Sequence, residues 1–287
     1  MSARTGILSV SLLLCFQTAA DASTHDALAR GDEAYARRAE GYAGLWANAE
    51  PVTEAIAAFE EALAAEPENQ LVRAKLLRAL CFKGLYVLRD RKARLRIFER
   101  GQILGEQSIT RLIRGTQLNR RGGKNYDELV QHLSSQPNAG AIYYWSAAHW
   151  GLWGKHRGKI AAAKQGVAGK VRDYARIVNA IDPSYDGGGG HRMLGRLHAE
   201  APKIPFVTGW IDRSKAISEL EKAQTFSDDP LTLLYLIEAL LEYDTSRRDQ
   251  AMELLRALST REPDSRELIK EIRAVSDARI LLDRLSN

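Results

Sequence analysis

The sequence predicts an all-α protein, a degenerate helical repeat in which antiparallel pairs stack into an α-α superhelix with inserted loops. Three observations predict it. Apolar residues recur at helical spacing along nearly the whole chain. In residues 53–66, for example, Ala55, Ile56, Phe59, Ala62 and Leu63 lie on one side and Glu54, Glu60 and Glu61 on the other. No alternation of apolar and polar residues persists, and no Asn-Gly or Asp-Gly turn joins two β-branched runs. Finally, one spacing repeats. Ala55, Phe59, Ala62 and Pro67 stand at offsets 0, 4, 7 and 12, and so do Val171, Ala175, Val178, Pro183 and Ala251, Leu255, Leu258, Pro263. A looser copy, Ala216, Leu220, Ala223 and Pro230, has two extra residues before its proline.

Residues at offsets 0, 4 and 7 form one stripe on a helix, where small side chains admit a partner helix closely. The proline then stops that helix. This pattern is the second half of a TPR-like (tetratricopeptide-type) pair. The first halves are expected at Leu28–Tyr42 (with Gly31 and Tyr35), Met193–His198 (with Leu194-Gly195) and Leu231–Tyr243. Further helices are expected at Leu71–Val87 and Ala93–Leu112. The halves are unevenly spaced: Gly31 to Ala55 is 24 residues and Gly195 to Ala216 is 21, against about 12 in a regular repeat. Insertions account for the excess. One is Pro202 to Trp210, whose two prolines and glycine preclude a continuous helix.

Composition narrows the class. The chain of 287 residues is 45% hydrophobic and 27% charged, with 22 glycines and 8 prolines, which excludes disordered and collagen-like chains. Two cysteines cannot build a disulfide framework, and Cys81, within Leu76–Cys81, reads as a small buried hydrophobe. Arg4 precedes an apolar run from Ile7 to Phe16, about half the length that crosses a bilayer, followed by Ala20-Asp21-Ala22. Residues 1–22 are therefore expected to be a secretory signal, leaving residues 23–287 as a single helical domain in the periplasm. Leu12-Leu13-Leu14-Cys15 resembles a lipoprotein box, but the large Leu14 argues for a soluble product. Membrane association follows only if Cys15 is lipidated.

Several segments, in order, resemble one family. They are Arg100-Gly101; Tyr144-Trp145-Ser146-Ala147-Ala148-His149-Trp150-Gly151; Asp182-Pro183-Ser184-Tyr185; His191 to Leu197; Ala201-Pro202; and Ala216 to Ala223. Each alone is weak, but the ordered set resembles the TPR-type T component associated with TRAP transporters. The resemblance implies an all-helical periplasmic protein that oligomerises as a homotrimer around a central opening. It also implies partnership with a periplasmic solute-binding protein that delivers a small organic acid or hydrophobic molecule to a permease. A generic TPR scaffold for envelope assembly, with no small-molecule ligand, is the alternative.

Candidate site residues follow. Tyr143, Tyr144, Trp145, Trp150 and Trp153 cluster around His149, and three of the five tryptophans fall within nine residues. They are either core with paired N–H groups or the lining of an apolar ligand opening. Tyr144, Trp145, His149, Trp150 and Trp153, together with Arg192 and Arg196, are the ligand candidates. Gly187 to Gly190 is expected to be a flexible connector, having neither a preceding strand nor a Lys-Ser or Lys-Thr pair for a nucleotide loop. Arg192 and Arg196 lie one helical turn apart and either face a carboxylate or are solvated at the surface. No His-Glu-x-x-His or Gly-x-Ser-x-Gly motif occurs, so no catalytic set, metal site or cofactor is expected. Charge is uneven: residues 89–124 carry 11 Lys or Arg against 3 acids, and residues 155–176 carry 7 against 1. Export argues against a nucleic-acid partner and leaves an acidic protein, anionic lipid headgroups or plain solvation.

Overall fold

The computed structural model describes residues 24–286 and is helical throughout, with no strand among them. The expected signal segment and Cys15 lie outside the described residues. Helix α1 covers residues 24–36. There follow α2 (Ala49–Ala65), α3 (Gln70–Phe82), α4 (Arg91–Leu112), α5 (Tyr126–Ser134), α6 (Ala139–Arg157) and α7 (Lys159–Lys164). The remainder are α8 (Val167–Ile181), α9 (Tyr185–Glu200), α10 (Arg213–Gln224), α11 (Pro230–Tyr243), α12 (Arg248–Thr260) and α13 (Leu268–Ser286).

Helix starts are fixed locally. Asn48, Asn69 and Asp90 accept hydrogen bonds from the first-turn N–H groups of Glu50, Val72 and Ala93. Asp229 accepts from those of Leu231 and Thr232, with Pro230 at the first helical position. Each such cap contributes about 1 kcal/mol to its helix.

The helices zigzag between two layers. The helices α2, α4, α8, α10 and α12 form an outer layer, in which α4, α8, α10 and α12 each pack on the inner helices before and after them; α3, α6, α9, α11 and α13 form an inner layer in which each also packs on the next. Every residue at offsets 0, 4 and 7 of all four sequence copies is buried, and all four copies fall on outer helices. Glycines on the helices facing the stripes admit them. A Cβ at Gly31 of α1 would lie 2.4 Å from the Phe59 ring, and one at Gly195 of α9 2.5 Å from Leu220. The excess spacing noted above corresponds to the turns of residues 37–47 and to the irregular segment at 202–210.

Two local expectations differ from the structure. The α-helix expected to reach Val87 ends at Phe82 and continues as a π-helical turn, Lys83–Val87. Gly84 permits it, because the Phe98 ring occupies the place a Cβ would take. Nor is the glycine run a flexible connector. Asp186, Gly187 and Gly188 form a left-handed turn at the start of α9, and Gly188, Gly189 and Gly190 are buried. A Cβ would meet Ala223 Cα at 2.8 Å from Gly188, the Tyr144 ring at 2.5 Å from Gly189 and Asn179 Oδ1 at 2.0 Å from Gly190. The run exists so that α9 can press against α6, α8 and α10 at once.

The two ends of the array meet. Arg273 of α13 donates to Leu45 O (2.8 Å) and Leu85 O (2.6 Å), and its guanidinium lies 4.4 Å from the Trp46 ring centre. Arg38 donates to Arg266 O (2.6 Å) and pairs with Glu267. Ile269 packs into the apolar cluster of α1, α2 and α3. The inner layer therefore curls round a central space.

Candidate functional site

That space is a cavity of about 1030 Å³, lined by α1, α3, α6, α9, α11 and α13 with contributions from α7, α8 and the 202–210 segment. Small-molecule sites typically span about 300–1,000 Å³. Its wall is aromatic and aliphatic: Tyr35, Phe82, Leu85, Tyr86, Tyr144, Trp145, Leu152, Met193, Leu197 and Tyr235.

A buried polar network runs along one side. Arg192, only 6% exposed, ion-pairs with Asp186, donates to Tyr144 OH (2.7 Å) and Thr232 Oγ1 (3.2 Å), and lies 3.6 Å from Asp229. Solvation at the surface, expected as one role for this residue, is therefore corrected: α9 turns Arg192 inward onto α6 and α11. The left-handed turn aims Asp186 at it; both the carboxylate and the main-chain carbonyl of Asp186 accept from the guanidinium. Burial opposes the Arg192 charge, but Tyr144, Asp186 and Asp229 outweigh it and hold its pKa well above the ordinary value. Burial raises the Tyr144 phenol well above its usual range, so it stays protonated and donates to Asp186 Oδ2 at 2.5 Å. Burial likewise raises Asp229, yet Arg192 and Lys270 (2.6 Å) win and keep it ionised.

Arg196 also faces the cavity, 4.1 Å from the Tyr235 ring centre and paired with Glu200 and Glu238. Across the space, Arg78 stacks on Tyr35 (4.8 Å) and pairs with Glu267 (3.3 Å). Burial pushes the Tyr35 and Tyr185 phenols up to about 12. It also pushes the free, buried Cys81 thiol up to about 12, leaving it protonated at neutral pH.

The aromatic segment on α6 divides. Tyr144 and Trp145 face the cavity, edge to face at 4.8 Å, and the Trp145 indole donates to Tyr185 OH at 3.0 Å. His149, Trp150 and Trp153 turn away from the cavity into the packing around α4. His149 is fully buried; its Nε2–H donates to Leu77 O (3.0 Å), and burial lowers its pKa to about 4. The Trp150 indole donates to Glu106 (2.8 Å) and that of Trp153 to Glu99 (2.9 Å). Of the seven sequence candidates, the structure brings Tyr144, Trp145, Arg192 and Arg196 together and places the other three elsewhere.

Sequence reasoning did not select Tyr35, Arg78, Tyr86, Asp186, Tyr235, Glu267 or Lys270 as site residues. They come from separate inner segments, so no local pattern joins them. The one usable signal is their position: Arg78, Asp186, Tyr235 and Lys270 lie on inner helices, Tyr86 and Glu267 just beyond the end of one, and Tyr35 on α1. The cavity can hold a molecule with an apolar body against the aromatic wall and a polar group at the Tyr144–Arg192 side. Among the described residues there is no cluster of three or more His, Cys, Asp or Glu that could hold a metal ion. No helix among them is long and apolar enough to cross a membrane. In comparisons with known proteins the chain matches no family model and no curated protein.

Proposed function

We propose that the protein is a non-enzymatic, exported adaptor of a TRAP-type transport system. It is built as a degenerate TPR-like repeat and holds a small organic or hydrophobic ligand in its central cavity while docking a periplasmic solute-binding protein. The observation that carries this reading is where the family-like segments fall. Tyr144 to Gly151 supplies one wall of the cavity, Asp182 to Tyr185 leads into its left-handed turn, and His191 to Leu197 supplies Arg192, Met193 and Arg196. Segments scattered over more than fifty residues thus converge on one space. The closed inner layer, with pre-paired charges and a mostly apolar wall, suits retention and passage of a ligand.

Pull-down from periplasmic extract at low salt tests it. Recovery of a TRAP-type solute-binding protein is expected. Its absence sinks the partner assignment, and recovery of other envelope proteins in its place favours the plain scaffold.

A further inference from the structure

The cavity opens beside two segments that the transport reading leaves without a role: α7 and residues 202–210. Both contribute to the cavity wall, through Lys159 and Ala162 and through Ile204 and Val207. Helix α8 joins them, since α7 packs on it and its Arg172 guanidinium lies 4.4 Å from the Trp210 ring centre.

The 202–210 segment is a built turn. Buried Thr208 ties it, its hydroxyl donating to Pro202 O (2.5 Å) and accepting from Ile204 N–H (2.8 Å), while its own N–H donates to Ile204 O (2.8 Å). At the tip stands Phe206, fully exposed and left-handed at φ 61°. A bulky residue is strained there. Val207 beside it is 51% exposed, and Ile160 on α7 is 77% exposed. Such side chains held in water are a cost unless something covers them.

Their surroundings indicate what does. Residues 155–170 carry five cations and no acid, and residues 202–210 carry Lys203 and no acid. Lys155, Arg157, Lys159, Lys164 and Lys203 are exposed. Lys155 has Asp277 of α13 nearby and Lys170 lies over the Trp150 ring, which leaves Arg157, Lys159, Lys164 and Lys203 as the exposed cations beside the apolar side chains. Apolar side chains among such cations match an anionic bilayer surface, where the apolar groups reach the acyl boundary and the cations meet phosphates.

We propose that Ile160, Phe206 and Val207 form a membrane-contact tip that seats this mouth of the cavity on an anionic lipid surface. This contact depends neither on the identity of the ligand nor on a solute-binding partner, so its failure and theirs are separable.

The test uses the full chain in a Cys15→Ser background, with an environment-sensitive fluorophore on Phe206→Cys; buried Cys81 stays unlabelled. The control carries the label on Ile103→Cys, which is 61% exposed on α4 of the outer layer. Because the readout is local, binding of the N-terminal apolar run to vesicles does not mimic it. With phosphatidylglycerol-containing vesicles, the label at 206 should shift to the blue and be quenched by nitroxide lipids, while that at 103 should not. Pure phosphatidylcholine vesicles or high salt should abolish the effect. Reversing Arg157, Lys159, Lys164 and Lys203 to Glu should weaken partition by more than about a hundredfold. Ile160→Ser with Val207→Ser, at residues 77% and 51% exposed, should remove the quenching while circular dichroism stays unchanged. An unchanged label at 206, equal shifts at 206 and 103, or equal binding to neutral vesicles overturns the proposal. So does a label that responds to a solute-binding protein but not to lipid, which would assign the tip to protein docking.

Discussion

The two sides of α6 carry the same kinds of residue to different ends. Toward α4 the helix is locked. Gly101 and Gly105, one turn apart, leave room for His149 and Ser146; a Cβ would lie 2.2 Å from the imidazole and 2.3 Å from the hydroxyl. The indoles of Trp150 and Trp153 find carboxylates on the same neighbour. Toward the cavity, Tyr144 and Trp145 pair with Tyr185, Asp186 and Arg192 and border the open space. Aromatic density alone does not separate a packed seam from a cavity wall. The layer of the partner does: His149, Trp150 and Trp153 turn to α4 of the outer layer, whereas Tyr144 and Trp145 pair with Tyr185, Asp186 and Arg192 of the next inner helix.

The largest effect is expected on the cavity side. Arg192→Met strips Asp186 of its cation, leaves Asp229 with Lys270 alone, and should cost about 3–5 kcal/mol in denaturant unfolding. A cost below about 1 kcal/mol would mean that the network is solvated. On the seam side, pH gives the next effect. Burial depresses the folded-state His149 pKa to about 4, against about 6.5 when unfolded. The folded state therefore binds fewer protons between those values. The stability due to the neutral imidazole is complete above pH 6.5 and is lost as pH falls toward 4, about 3 kcal/mol in all. His149→Gln removes this contribution while the carboxylates still titrate, so its stability should fall less steeply over that window. Parallel curves for the two proteins would contradict the burial argument.

Smaller changes sharpen the contrast. Gly101→Ala should cost about 1–3 kcal/mol through overpacking against a ring that its hydrogen bond holds in place. Ala148, which borders the cavity one turn from Trp145, should accept a larger aliphatic residue at less cost, as thermal melts would show. Smallest is Trp145→Phe. It loses one hydrogen bond to Tyr185, about 1 kcal/mol, and should matter more for ligand retention than for folding.

How much of this was legible in the sequence follows from distance along the chain. The outer helices were legible because a buried stripe repeats every three to four residues, and all four stripes are buried as expected. Helix α4 lacks the motif and packs on α6 through Gly101 and Gly105 instead, glycines whose partner only the fold reveals. The glycine run misled because four glycines look flexible until α6, α8 and α10 are brought within a Cβ of them. For Arg192 the sequence left a carboxylate-facing role and surface solvation both open; only the turn at Asp186 and the arrival of Asp229, 37 positions downstream, make its burial tolerable. The cavity itself was invisible, since Tyr35, Tyr144, Arg192 and Tyr235 meet only when the array closes on itself.

Native mass spectrometry of the protein from its own host, beside Ala148→Trp, tests the central cavity most directly. The wild-type protein should carry an added mass of a few hundred daltons that collisional activation releases, and the filled variant, equally folded by circular dichroism, should fly without it. A wild-type protein with no added mass, or a variant that keeps the same one, would contradict a ligand held at the centre of the array.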